Sequence, residues 1–310
     1  MSTARRVLVT PRSLTAAGLA DVPELEPLRE RGYELVGPQP GRMPTAEDLR
    51  DLLPGCVGWL AGVEPITAEL LAHAPDLRVI SRNGAGTDAI DLDAAARAGV
   101  PVVRAVGANA QGVAELVLAL TMSALRHVVV TSTVLRGGRW ERLQGAELAE
   151  RRVGLVGLGE VGRRAAAMFG ALGVPVVAYD PYVTGGEVPV VPLDELLRTC
   201  DVVSLSCPPP AEGRPLLGAD EVATMVPGTV LVNTARSALV DDDAILAALE
   251  EGRLSAYAVD AFDTEPPAPS PLLAHRRVIA TPHLGGYTGP SVRRATTMAV
   301  TNLVGALEER

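Results

Sequence analysis

VGLVGLGEVGRRAAAMFGALGVPVVAYD, residues 153–180, is the stretch whose reading decides the fold. An apolar run, VGLVG, reads as a buried strand. EVGRRAAAMFGALG, which follows at once, has helical spacing, and a second apolar run, VPVVAY, ends in an acid. The glycines Gly157, Gly159 and Gly162 stand at the turn between the first strand and the helix, in the order G-x-G-x-x-G. In that setting Gly157 makes the tight turn, Gly159 lets a pyrophosphate approach the backbone, and Gly162 lets helix and strand pack closely. The pyrophosphate then rests on the helix N-terminus, whose N–H groups and dipole favour anions. Asp180, at the end of the second strand, stands where an acid hydrogen-bonds the adenosine ribose of NAD. It would repel a 2′-phosphate, and YDPYV lacks the arginine that NADP usually recruits.

Outward from this unit the same grammar continues. Strands are expected at 201–206, 229–233, 255–259 and 277–281, with helices at 160–171, near 193–198 and at 241–251. Toward the N-terminus, residues 5–10, 56–60 and 78–82 read as buried parallel strands, with helical spacing at 24–31, 45–53 and 66–73 and a short helix opening at Asp91. Strand and helix alternating in this way predict an α/β protein with doubly wound parallel sheets. One long, very apolar helix is expected from Asn109 to about 135, then a polar, irregular arm at 136–152. A last helix runs over 288–309, capped by Thr288 or Ser291.

Composition bounds the function. At 310 residues the chain is expected to form one large or two modest domains. It is 47% hydrophobic but only 3% aromatic, so its cores are built from Ala, Val and Leu. A net charge of −9 argues against a nucleic-acid partner, which needs a basic face. Cys56, Cys200 and Cys207 show no metal-ligand spacing, and no metal site is expected. No apolar run suits export or a membrane span, which predicts a cytoplasmic protein without a membrane partner.

Three residues after the glycine turn can carry chemistry on a hydroxyl or carbonyl group. Arg236 follows the strand at 229–233, Glu265 the strand at 255–259, and His283 the strand at 277–281. In open α/β sheets the loops at strand C-termini line the ligand crevice. An imidazole can protonate a developing alkoxide, a neighbouring carboxylate favours its charged form, and a guanidinium can clamp a substrate carboxylate. Singly, a surface arginine, a loop glutamate and a capping histidine are commoner than catalytic ones. At three successive strand ends, coincidence is a poor explanation.

The chain resembles the D-isomer-specific 2-hydroxyacid dehydrogenases, in the group that includes phosphoglycerate dehydrogenase. The likeness runs nearly end to end through SRNGAGTDAIDL (81–92), NAQGVAE (109–115), GLGEVG (157–162), NTARSALVDDDAI (233–245), DAFDTEPP (260–267) and ATPHLGGYT (280–288). The resemblance implies a Rossmann NAD-binding domain, residues 104–287, inserted into a flavodoxin-like substrate domain made of 1–103 and 288–310. It implies that Arg236 binds the substrate carboxylate, that His283 is the acid/base and that Glu265 orients it. It also implies that Asp260 and the Ala235 carbonyl hold the nicotinamide amide, that Glu160 and Val161 offer backbone under the pyrophosphate, and that Thr234, Cys207 and Gly285 line the cofactor groove. The loop Asn83-Gly84-Ala85-Gly86 would present N–H groups to the substrate anion. A homodimer through the 109–135 helix and the 136–152 arm is implied as well. Departures from the family pattern are Cys207, where His or Thr is common, and the proline-rich lip CPPPAEGRP that it opens.

Arg12 and Ser13, after the first strand, and Arg82 stand at strand ends where a second substrate anion could be met. If they point inward, the substrate carries a second anion, such as the phosphate of 3-phosphoglycerate or a phosphonate; otherwise Ser13 is a helix cap and Arg12 solvent-exposed. Two alternatives stay open: a dehydrogenase of a phosphonate or phosphite anion, and a dinucleotide-sensing, corepressor-like interaction protein.

Overall fold

The computed structural model describes residues 5–210 and 213–309; residues 211 and 212 of the CPPPAEGRP lip lie outside it. The chain forms two compact units, one of Met1–Asn109 with Gly289–Arg310, the other of Ala110–Thr288. The first unit runs six residues past 103 because the strand at 102–104 pairs inside it, and Ala105 and Ala108 join its core.

The first unit carries five parallel strands: β1 (Arg6–Val9), β2 (Glu34–Val36), β3 (Cys56–Ala61), β4 (Val79–Arg82) and β5 (Val102–Arg104). Their order is β2-β1-β3-β4-β5, the flavodoxin-like order. Both faces are covered, as an all-parallel sheet requires. The helix Gly289–Glu308 lays Ala299, Leu303 and Leu307 on one face, and Leu49, Leu53, Leu70 and Leu71 cover the other. Glycine at position 58 lets that helix approach, since a Cβ there would lie 3.1 Å from Leu303 Cδ1. Ser291 is a buried residue of this helix whose hydroxyl accepts from Arg294 at 3.2 Å. The helix itself begins one residue after Thr288.

The second unit holds six parallel strands: β6 (Val153–Val156), β7 (Val176–Tyr179), β8 (Val202–Leu205), β9 (Thr229–Asn233), β10 (Leu254–Val259) and β11 (Val278–Ala280). Their order is β11-β10-β9-β8-β6-β7, and an isolated parallel bridge from Ala178 to Val190 extends the sheet beyond β7. Strand order reverses between β6 and β8, so the ligand crevice of this unit opens at their carboxyl ends. Every residue of β6, β8 and β9 is buried, which is why those runs read as unbroken apolar sequence.

One element departs from expectation. The single helix expected over 109–135 is two, Ala110–Leu125 and Val128–Arg136, bent by 62° at His127. His127 takes the left-handed conformation (φ 54). The cause is distant in sequence: the Leu125 carbonyl, which a continuing helix would use, accepts the Ala146 N–H of the arm at 2.9 Å. Gly145 permits that approach, because a Cβ there would meet the same oxygen at 2.6 Å. The arm is otherwise irregular apart from one 3-10 turn, Leu148–Glu150. No single helix among the described residues is long and apolar enough to cross a membrane.

Candidate active site

The carboxyl edge of the second unit's sheet gathers both sets of candidate residues. At β6 the chain turns through Gly157 (φ 100) into the helix Glu160–Ala171. A Cβ at Gly157 would lie 2.7 Å from the Ser206 carbonyl oxygen, and one at Gly162 only 2.1 Å from the Gly157 carbonyl oxygen. Both positions therefore exclude side chains for reasons internal to the protein. Gly159 differs: a Cβ there meets no protein atom within 4 Å. Its bareness serves something that approaches from outside, as a pyrophosphate would. Val161 packs against the core. The Glu160 side chain turns along its own helix to Arg163 (2.9 Å) and Arg164 (2.8 Å), and these hydrogen bonds hold its carboxyl below the usual range.

Asp180 closes this turn. Its Oδ2 accepts the Leu158 N–H at 2.8 Å and its Oδ1 the Tyr182 N–H at 2.9 Å. The carboxylate is thus fixed at the tip of β7, with lone pairs left for a diol. Thr234, at the end of β9, and Ser206, at the end of β8, each bury a hydroxyl oxygen that has no hydrogen-bond partner. Burial pushes the Cys207 thiol up to about 11, so it is a neutral lining group and no nucleophile at pH 7. An open glycine, a fixed acid and two orphaned hydroxyls along one edge fit a dinucleotide.

The chemical residues lie on the next three strand ends. Asn233, fully buried at the end of β9, donates from Nδ2 to the Arg236 carbonyl (2.8 Å) and accepts the Ala235 N–H (3.1 Å). It thereby shapes the loop that carries Arg236, whose half-buried guanidinium donates to the Ala235 carbonyl at 2.6 Å. That carbonyl, expected to hold a nicotinamide amide, is engaged by Arg236 in this structure.

Asp260 follows β10 and is 1% exposed. Its Oδ1 accepts the Thr281 hydroxyl (2.6 Å) and the Leu284 N–H (2.7 Å), and its Oδ2 accepts the Gly285 N–H (2.8 Å). All three donors belong to the turn TPHLGG. A Cβ at Gly285 would crowd Asp260 Oδ2 at 3.1 Å and Val113 at 3.2 Å. Within the clamped turn His283 adopts φ 53, a conformation that non-glycine residues rarely take and that tends to mark functional positions. Its Nδ1 lies 2.7 Å from Glu265 Oε1, which also accepts the Phe262 N–H at 3.2 Å. With a proton on Nδ1 the imidazole donates to this carboxylate, and Nε2 is left as the other ring nitrogen. The two side chains are 51% and 42% exposed, open to an incoming molecule.

In the first unit the loop 83–86 is only partly as expected. The Asn83 N–H bonds inward to the Ala61 carbonyl (2.9 Å) and the Gly84 N–H to the Arg82 carbonyl (2.8 Å), so neither is presented to a ligand. No hydrogen bond from the Ala85 or Gly86 N–H occurs among the described residues. Arg82 braces the loop by donating to the Asn83 carbonyl at 2.7 Å. Arg12 and Ser13 are exposed in the first turn of the short helix Arg12–Thr15, and Ser13 caps nothing. No cluster of three His, Cys, Asp or Glu that could hold a metal occurs among the described residues. Reading the sequence missed Asn233, Ser206 and Thr281; a lone polar residue ending an apolar run, as in TVLVN, was the available signal.

The chain is similar to known proteins over most of its length. The family model described as D-isomer specific 2-hydroxyacid dehydrogenase, NAD binding domain, matches residues 118–285. The D-3-phosphoglycerate dehydrogenase of Mycobacterium leprae is 38% identical over 239 residues, 75% of this chain and 45% of that protein. The hydroxypyruvate reductase of Thermotoga maritima is 35% identical over 236 residues, 74% of this chain and 77% of its own. Among solved structures, the TT0316 protein from Thermus thermophilus matches with a TM-score of 0.87 at 35% identity, covering 98% of this chain and 97% of the other. The chain spans about half the length of the phosphoglycerate dehydrogenases it matches.

The two inner glycines give a contrast that can be measured. Gly162→Ala should cost about 1–3 kcal/mol of stability through overpacking. Gly159→Ala should stay within about 1 kcal/mol of wild type yet weaken NADH binding by about tenfold or more, because its Cβ would enter the pyrophosphate's space. Thermal melts and NADH fluorescence titration check both.

Proposed function

Because the chain belongs to the D-isomer-specific 2-hydroxyacid dehydrogenase family, we propose that it interconverts a small D-2-hydroxy acid and its 2-oxo acid with NAD as the hydride carrier. The observation that carries this reading is the 2.7 Å contact of His283 Nδ1 with Glu265, on a turn clamped by a buried carboxylate. NAD, when bound, takes up or returns the hydride at the substrate C2.

The protein's own residues handle the proton and the anion. In reduction, His283 Nε2–H donates to the oxygen that develops negative charge, and Glu265 stabilises the imidazolium from which the proton leaves. In oxidation, neutral Nε2 takes the hydroxyl proton. Arg236 offers a planar fork to the substrate carboxylate, held at its loop by Asn233. Gly157, Gly159 and Gly162 with Glu160 and Val161 form the pyrophosphate turn, Asp180 the ribose acceptor, and Thr234, Ser206 and Cys207 the groove wall.

A homodimer also belongs to this reading. The helix Val128–Arg136 buries only Val134 and exposes Val128, Val129 and Leu135, and the arm exposes Trp140 (82%) and Leu143. Of these, Val128, Leu135 and Trp140 border, with Met122 and Arg126, a groove of about 630 Å³. An exposed apolar patch of this extent calls for a partner, and a second copy presents the same patch by twofold symmetry. Three free thiols fit a cytoplasmic location.

His283→Ala should lower kcat by about 100- to 10,000-fold while NADH affinity stays within about twofold, since the histidine touches no part of the glycine turn. Unchanged turnover in a panel of 2-oxo acids would remove the acid/base role. Trp140→Asp should shift the protein to a monomer by size-exclusion chromatography with light scattering; a wild type that is already monomeric contradicts the dimer.

A further inference from the structure

Arg236 and Glu265 stand on different loops of the second unit, and a reaction that uses both needs them at one fixed spacing. The Arg236 loop is anchored at both ends. Asn233 shapes its start, and the Leu239 N–H closes the 3-10 turn Ser237–Leu239 on the Arg236 carbonyl at 3.2 Å. Leu239 is fully buried, and its carbonyl accepts the Leu217 N–H at 3.0 Å. The segment that carries Glu265 is held far less. Residues 263–266 are exposed, and no backbone–backbone hydrogen bond involves residues 261–269 among the described residues.

Beyond the packing of Ala261 and Phe262, two polar contacts hold this segment to its neighbours. Glu265 meets His283, and Asp263 Oδ1 accepts the Ser237 hydroxyl at 2.7 Å. The second contact joins the two loops directly: Ser237 follows Arg236, and Asp263 stands two residues before Glu265. Asp263 is also close to Asp242, which opens the helix Asp242–Glu250. Partial burial, and after it the charge of Asp263, hold the Asp242 carboxyl above its usual range. An acid beside another acid is repelled from its place. The Ser237 hydroxyl supplies the attraction that keeps Asp263 there.

Resting on the proposed dehydrogenase reading, we infer that Ser237 and Asp263 are a positioning pair. Their hydrogen bond ties the loop of the anion-binding guanidinium to the loop of the carboxylate that orients the imidazole, and so sets the spacing at which both act on one substrate. Neither residue touches the substrate in this role. The test is steady-state reduction of glyoxylate, pyruvate and hydroxypyruvate with NADH by Ser237→Ala, Asp263→Ala and the double variant. One such hydrogen bond, read as a rate, corresponds to about three- to tenfold. Each single variant should lose that much kcat on the best acid, and the double variant no more than either. KM for NADH should stay within about twofold and the thermal midpoint within about 4 °C. Ser237→Thr keeps the hydroxyl and Asp263→Asn keeps an acceptor oxygen, so both should recover most of the loss. Unchanged kcat in the single variants overturns the inference, as do losses that multiply in the double variant. A fall in the thermal midpoint that accounts for the loss, or no recovery in the two conservative variants, overturns it too. These outcomes leave the dehydrogenase reading standing. A wild type that binds NADH and reduces none of the acids removes that reading, and the inference with it.

Discussion

Asp260 is the constraint on which the candidate active-site edge depends. A carboxylate 1% exposed, with no arginine or lysine paired to it among the described residues, is tolerable only if its oxygens are hydrogen-bonded. All three donors it has come from Thr281, Leu284 and Gly285, and hydrogen bonds to a charged group contribute about 1.5–3 kcal/mol each. Those contacts leave the backbone between them little choice. His283 is driven to φ 53, a conformation it would not hold alone, and its ring is delivered to Glu265. The exposed His–Glu pair is weak by itself, as half-exposed ion pairs are; the buried acid beneath it supplies the rigidity.

The same construction recurs along the sheet. Asn233 at the end of β9 is buried and pins the Arg236 loop with its side-chain amide, while its backbone carbonyl accepts the Asp260 N–H at 3.0 Å. Thr281 in turn donates its N–H to the Val259 carbonyl at 2.9 Å. Each candidate side chain is therefore carried by a loop whose shape is set by a buried polar neighbour at a strand end. On the cofactor side Asp180 does this for the glycine turn, through the Leu158 N–H. Preorganisation of this kind lets a loop, ordinarily the mobile part of a fold, hold groups to the tolerance that proton transfer demands.

Much of this was legible in the sequence, and what was not has a common cause. The second unit's strands, and its helices Glu160–Ala171, Leu193–Thr199 and Asp242–Glu250, could be read to within a residue or two because they are buried runs and amphipathic repeats, both local signals, whereas the short helices Ala219–Thr224 and Pro271–Ala274 were not read. Strands β2 and β5, three residues each, are too short to show a period. The break at His127 could not be read, because it depends on Gly145 and Ala146 meeting the end of a helix some twenty positions earlier. At the site, Arg236, Glu265 and His283 were recognisable as strand-end residues. Nothing local announced that Asp260 would face the turn at 281–285, or that the Asn83 and Gly84 N–H groups would turn inward. Partners of buried polar groups are fixed by tertiary packing, so sequence shows the group and not its partner.

If Asp260 acts through His283, its loss and the loss of the imidazole are one defect and not two. The direct test is a double-mutant cycle on kcat with Asp260→Asn, His283→Ala and both together. Asparagine sets an NH2 group against the Gly285 N–H and should loosen the turn. The account predicts that Asp260→Asn slows wild type but scarcely slows His283→Ala further. Losses that multiply would contradict it, and would assign Asp260 a contact of its own with cofactor or substrate.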